Sequence, residues 1–142
     1  MANSFDPSQY VLATGEAIVA ADAKGAIVFW NAAAARIFGQ TEAEALGQSL
    51  DLIIPERLRE RHWQGYDKTM STGKTRYGDD VLRVPAIRKD GSALSIAFTV
   101  TLLRAADNSW TIVATIRDET TRWKEERALK QRIAELEAKS QQ

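Results

Sequence analysis

The decapeptide Asp22-Ala23-Lys24-Gly25-Ala26-Ile27-Val28-Phe29-Trp30-Asn31 reverses the chain and then hands it to a helix. Asp22 can bond backbone N–H groups just ahead of it, and Gly25 can take the positive φ that a tight turn needs. Residues 17–21 before this turn and 26–30 after it are short, β-capable runs, so the pattern predicts a hairpin. Asn31 is an N-cap residue type, the Ala-rich residues 32–38 follow it, and Gly39 stops them. Thr41-Glu42-Ala43-Glu44 has capping-box spacing ahead of a short helix closed by Gly47. Two strands followed by small helices exclude a helical bundle.

Outward from this segment the pattern stays mixed. Asp6-Pro7 at the start of residues 6–12 gives a cap and a Pro at the first helical position, predicting a flanking helix with Gly15 as its stop. Pro55 opens a helical stretch to Thr72, closed by Gly73, in which Leu58, His62, Tyr66 and Met70 recur at i+4 and share a face. The period then becomes two. Residues 81–88, 93–103 and 110–116 read as strands joined by Lys89-Asp90-Gly91 and Asp107-Asn108-Ser109. In the middle one, Leu94, Ile96, Phe98, Val100 and Leu102 share a face that is predicted to be buried.

From Asp118 onward there is no Gly or Pro, and helix is expected. Leu129, Ile133 and Leu136 fit heptad positions, but Arg122 and Glu126 occupy the preceding ones, so the helix is expected to continue or pair elsewhere. The element order predicts an α+β domain: a five-stranded antiparallel sheet, short helices on one face, and a helix at each end. The corresponding division is 1–14 as N-terminal flanking helix, 15–118 as the domain and 119–142 as C-terminal linker helix.

Composition narrows function. A chain of 142 residues suits one domain with space for a core and one small-molecule cavity. Nineteen basic residues balance nineteen acidic ones, which removes the bulk electrostatic case for nucleic acid or an anionic membrane. The absence of Cys excludes thiolate metal sites, cysteine nucleophiles and cysteine-linked chromophores. Without a long apolar run or leader, the expected location is the cytoplasm, with no membrane partner. One His, no Cys and no Gly-x-Ser-x-Gly turn leave no nucleophile, base and orienter to assemble, so an enzyme is not expected.

Four fragments in order carry a family likeness: residues 22–31, Ala34-Ala35-Arg36-Ile37-Phe38-Gly39, Arg88-Lys89-Asp90-Gly91 and Ile116-Arg117-Asp118-Glu119-Thr120. Together they resemble a PAS sensory domain over roughly residues 10 to 120, which implies the PAS fold and a signal-input role. Within that family, Ile54-Pro55-Glu56-Arg57-Leu58-Arg59-Glu60-Arg61-His62 and Met70-Ser71-Thr72-Gly73 are most similar to the heme-binding PAS domains of FixL-type oxygen-sensor kinases. The resemblance implies b-type heme with His62 as the iron ligand and with Lys68 and Arg76 meeting the propionates. Tyr66, Leu82, Ile96, Phe98, Val100 and Ala114 are the expected cofactor-binding residues around it. A neutral imidazole aimed into an apolar slot with cations at its rim is what such a cofactor requires.

The sequence departs from the oxygen sensors on the distal side. Leu82 falls where they place an Arg, Arg83 beside it is expected on the opposite face, and Asp80 falls where related heme sensors place a Met. Tyr77 is then the nearest candidate donor. The Arg57, Arg59 and Arg61 cluster interleaves with Glu56 and Glu60 and reads as a solvated face. Trp30 and Trp63 read as amphipathic surface aromatics that pack, and Asp22, Asp79 and Asp80 as turn or strand residues. Photoadduct-forming flavin needs a Cys that is absent, whereas redox flavin, a metabolite, or no cofactor in a pure dimerisation module are the alternatives. Val11, Leu12, Trp123, Leu129 and Ile133 point to a homodimer through the flanking helices. An output domain outside this chain (a kinase, cyclase or regulator) is the other expected partner.

Overall fold

The computed structural model describes residues 4–75 and 80–141; Arg76, Tyr77 and Asp79 therefore lie outside the described residues. Strands β1 (Ala17–Ala21), β2 (Ile27–Trp30), β3 (Leu82–Ile87), β4 (Ala93–Arg104) and β5 (Trp110–Asp118) form one antiparallel sheet in the order β2-β1-β5-β4-β3. Register places Val19 opposite Ala114, Phe98 between Ile116 and Leu82, and Leu94 opposite Ala86. Their side chains therefore gather on one face, as the alternation in β4 predicts. Pro85 sits in β3, an edge strand, where a missing ladder donor is tolerated.

The segment after the hairpin folds by its own caps. Helix α1 (Pro7–Ala13) is capped by Asp6 and ends at Thr14 rather than at Gly15. Asn31 is buried and fully used: its Oδ1 accepts from Ala34 N, capping helix α2 (Ala32–Phe38), and from Ile18 N, both at 3.0 Å. Its Nδ2 donates to Val11 O and Glu16 O, so one side chain ties α1, β1 and α2 together. Helix α3 (Glu42–Ala45) carries the reciprocal Thr41–Glu44 capping box. The Glu44 carboxyl is also bonded to Lys89, and these hydrogen bonds hold its pKa down at about 2.

Two expectations are corrected here. Residues 55–72 are not one continuous helix: a 3-10 turn at Glu56–Leu58 precedes helix α4 (Arg59–Thr72). Arg59, the first residue of α4, reaches back over this turn to donate to Ile54 O and Asp51 O. Trp30 is not at the surface, being 1% exposed against Phe38 with its Nε1 donating to Gln40 O at 3.0 Å.

The last strand runs through Asp118, and helix α5 (Thr120–Ser140) starts beyond it. Asp118 turns the chain by accepting from Thr120 N, while Glu119 N donates to Ser95 O. The first turn of α5 is thus fixed to β4, and after it no α5 residue is buried. No helix among the described residues is long and apolar enough to cross a membrane.

Candidate ligand cavity

Helix α4 is held over the inner sheet face by tryptophans at its two ends. Trp63 packs on Gly25 of the β1–β2 turn so closely that a Cβ there would overlap its ring, and Gly25 also has φ +85°. At the far end, Gly73 caps α4 at φ +70°, and a Cβ on it would lie 2.7 Å from the Trp110 ring. Neither position accepts a side chain, because each combines left-handed backbone with an aromatic neighbour. Trp63 is further fixed by its Nε1, which donates to Asp51 Oδ1 at 2.7 Å.

Between these two clamps lies a cavity of about 530 Å³. Its sheet wall is apolar throughout: Leu82, Val84, Pro85 and Ala86 of β3, Ile96, Phe98 and Val100 of β4, Ile112, Ala114 and Ile116 of β5, and Val19 and Ala21 of β1. Leu50, Ile53 and Ile54 close one end. Every polar or titratable side chain on the lining comes from α4, namely Arg61, His62 and Tyr66. The volume falls in the range of small-molecule sites, and an apolar body with a few convergent polar groups is the usual character of such a site.

His62 lines this space, while its Nδ1 is sealed from it and has no hydrogen-bond partner. Its ring packs edge-on to Trp63, with centroids 4.7 Å apart, and lies 5.7 Å from the Tyr66 ring. Burial lowers the His62 pKa below its ordinary value, and the opposing pull of the Asp51 carboxylate is smaller. The imidazole is therefore neutral at neutral pH, which is the form that binds a metal. An orphaned buried nitrogen costs about 1–3 kcal/mol. Tyr66 spends its hydroxyl differently, donating to Asp22 O, and burial raises its pKa.

His62, Tyr66, Leu82, Ile96, Phe98, Val100 and Ala114 are thus brought together on one cavity. Lys68 is exposed and is not part of the lining, and Arg76 is outside the described residues. Asp80 is exposed, and Arg83 lies on the outer sheet face, where it approaches Glu119 at 3.8 Å. In the arginine cluster Arg57 and Arg61 are exposed, with Arg61 also reaching the cavity lining, and only Arg59 is bound to backbone carbonyls. Arg61 was missed because three arginines at alternate positions look alike until the phase of the helix on the sheet is known. Ile112 and Ile116 were missed as well, although with Ala114 they form a period-two row in the sequence.

An apolar cavity of this volume with a neutral imidazole in its wall fits a largely apolar cofactor that takes a histidine ligand, such as heme. For such a group the chain offers one imidazole, His62, and no thiolate.

Comparison with known proteins agrees with this architecture. The PAS fold family profile matches residues 7–118. An uncharacterised protein of Azorhizobium caulinodans is 36% identical over 115 residues, which are 80% of this chain and 16% of that protein. Sensor protein FixL of Bradyrhizobium diazoefficiens is 26% identical over 125 residues, 85% of this chain and 24% of FixL. Oxygen sensor protein DosP of Escherichia coli is 25% identical over 107 residues, 75% of this chain and 13% of DosP. The chain therefore spans less than a quarter of each of these relatives. Among solved structures, the PAS domain of a Colwellia psychrerythraea protein superposes with a TM-score of 0.68 at 18% identity, covering 80% of this chain and 94% of that one. An RNA-binding light-oxygen-voltage receptor superposes with a TM-score of 0.70 at 19% identity, covering 94% of this chain and 40% of the receptor.

Proposed function

The chain belongs to the PAS family, and on that premise we propose that it is the input module of a sensor and that its cavity holds b-type heme through His62. The observation that carries this reading is that His62, the one imidazole of the chain, lines an otherwise apolar cavity. The likeness to FixL and to the oxygen sensor DosP supports it. When bound, heme supplies an iron centre that exchanges small gaseous ligands or an electron.

The protein's own residues define what such a site can do. Desolvation keeps His62 neutral, and Trp63 and Tyr66 fix the plane of its ring. Leu82, Ile96, Phe98, Val100 and Ala114 exclude water and offer no side-chain hydrogen bond, so the sheet wall selects by shape. Lys68, exposed on α4, remains available to an anionic group.

Signal leaves through α5. Leu82 looks into the cavity, its neighbour Arg83 looks to the opposite face, and the Arg83–Glu119 pair reaches the start of that helix. A ligand that favours one position of β3 therefore biases the junction at Asp118–Thr120. The exposed apolar residues Trp123, Leu129 and Ile133 of α5 then meet a second copy of the chain, and an output domain outside this chain receives the change.

Hemin titration tests the reading. The unaltered protein is expected to develop a Soret band that His62→Ala abolishes, with deuterium exchange over residues 118–136 changing only in the loaded unaltered protein. A protein that takes up no hemin would end the heme reading and leave a metabolite-binding or cofactor-free PAS module.

A further inference from the structure

Arg61 is the sole cation on the cavity lining, and no carboxylate lies on that lining among the described residues. Its guanidinium has no ion pair or hydrogen bond among them either, whereas Arg59, two residues earlier, is committed to Ile54 O and Asp51 O. The helix supplies no internal partner: the residues three and four positions away are Arg57, Leu58, Gln64 and Gly65, none of them acidic. Arg57 at i−4 instead adds a like charge. Arg61 therefore carries an unneutralised charge at the edge of an apolar space.

The placement also fits a ligand that spans both environments. Leu58 of the 3-10 turn and His62 and Tyr66 of α4 line the cavity in one row, and Arg61 falls on its flank beside Gly65. A Cβ at Gly65 would meet nothing within 4 Å, so the flank is open next to the guanidinium. An anion there can take two parallel N–H bonds from Arg61 while its apolar body extends to the sheet.

We propose that Arg61 is the anion-receiving residue of this cavity, whose ligand is an apolar or aromatic molecule carrying a carboxylate. The assignment deepens the proposed function by naming the ligand class of the same cavity, and it rests on that cavity being the binding site. It holds for a porphyrin acid and for any other apolar acid.

Matched pairs of ligands with and without charge test it: hemin against its dimethyl ester, and 8-anilinonaphthalene-1-sulfonate against N-phenyl-1-naphthylamine. Arg61→Gln is expected to weaken binding of the charged member about tenfold and of the neutral member less than about twofold, with Arg61→Lys partly restoring the difference. Lys68→Gln serves as the control, a cation exposed like Arg61 but off the cavity lining. A charge-selective loss in either pair carries the assignment. Equal effects on charged and neutral members in both pairs, or no uptake of either anion by the unaltered protein, would overturn it. The heme reading fails separately if hemin gives no Soret band while the sulfonate remains dependent on Arg61. The Arg61 assignment fails alone if hemin binds through His62 and neither pair distinguishes the variant.

Discussion

Over β2 and the helix behind it the space is filled, whereas over β3, β4 and β5, and at Val19 and Ala21 of β1, the same sheet face borders a cavity. In the filled half, Trp30, Phe38 and Ile27 are nearly inaccessible, the first two rings lie 5.6 Å apart, and α2 is pinned by an Asn31 side chain whose donors and acceptor are all used. In the hollow half, Tyr66 is the one buried residue of α4, and the His62 nitrogen is unpartnered. Void lining forgoes dispersion contacts and orphaned polar atoms forgo hydrogen bonds, so the hollow half contributes less stability per residue. The comparison assigns stability to one end of the sheet and ligand binding to the other.

The largest expected effect lies in the filled half. Trp30→Ala should cost about 3–5 kcal/mol in urea unfolding, through lost burial and a cavity that the capped neighbours cannot close. Phe98→Ala removes a large ring too, but from a half-buried position already bordering open space, and should cost less than half as much. Equal losses in the two variants would break the distinction between the halves.

Local chemistry made the filled half readable. Asn31 before an alanine run, Thr41 three residues before Glu44 and Asp22 three before Gly25 each act on their nearest neighbours, and the structure shows those caps and that turn. The alternation of Leu94, Ile96 and Phe98 likewise fixed which face of β4 turns inward. What could not be read depends on distant partners. Trp30 and Trp63 look equivalent in the sequence, yet one finds Gln40 and a closed core while the other finds Asp51 at the rim. At the break before α4, Arg59 reaches Ile54 and Asp51, and the role of Arg61 depends on how that helix is rotated over the sheet. Hollowness itself has no local signature, because Ile96 and Val100 are the residue types that would also fill a core.

An intermediate effect sharpens the contrast through pH. Burial lowers the folded-state pKa of His62, so between that value and the ordinary 6.5 the unfolded chain binds a proton that the folded chain does not. Stability therefore falls as pH drops below about 6.5, with a limiting slope of about 1.4 kcal/mol per pH unit, and is unaffected by this group above it. Carboxylates do not obscure the window from pH 7.5 to 5.5, since Glu44, which titrates at about 2 in the folded protein, contributes stability that is lost only below its ordinary range near 4.5. His62→Phe should flatten the profile while leaving stability at pH 7.5 equal or slightly higher, because an unsatisfied polar ring is replaced by an apolar one. An unchanged slope in that variant would mean that the imidazole is hydrated.

The smallest expected effect has the opposite sign and occurs only in the hollow half. Gly65 lies in the interior of α4 without positive φ, and a Cβ there meets nothing within 4 Å. Gly65→Ala should therefore stabilise the ligand-free protein by about 0.5–1 kcal/mol, the difference in helix propensity and in the freedom of the unfolded chain. The glycine leaves open the flank beside Arg61, which is the expected entry for a ligand. Gly65→Trp would then fill that flank and reduce uptake of hemin and of anilinonaphthalene sulfonate, with secondary structure by circular dichroism unchanged. Undiminished uptake in the tryptophan variant would show that ligands reach His62 from another side of α4, and would move the mouth of the cavity away from Arg61.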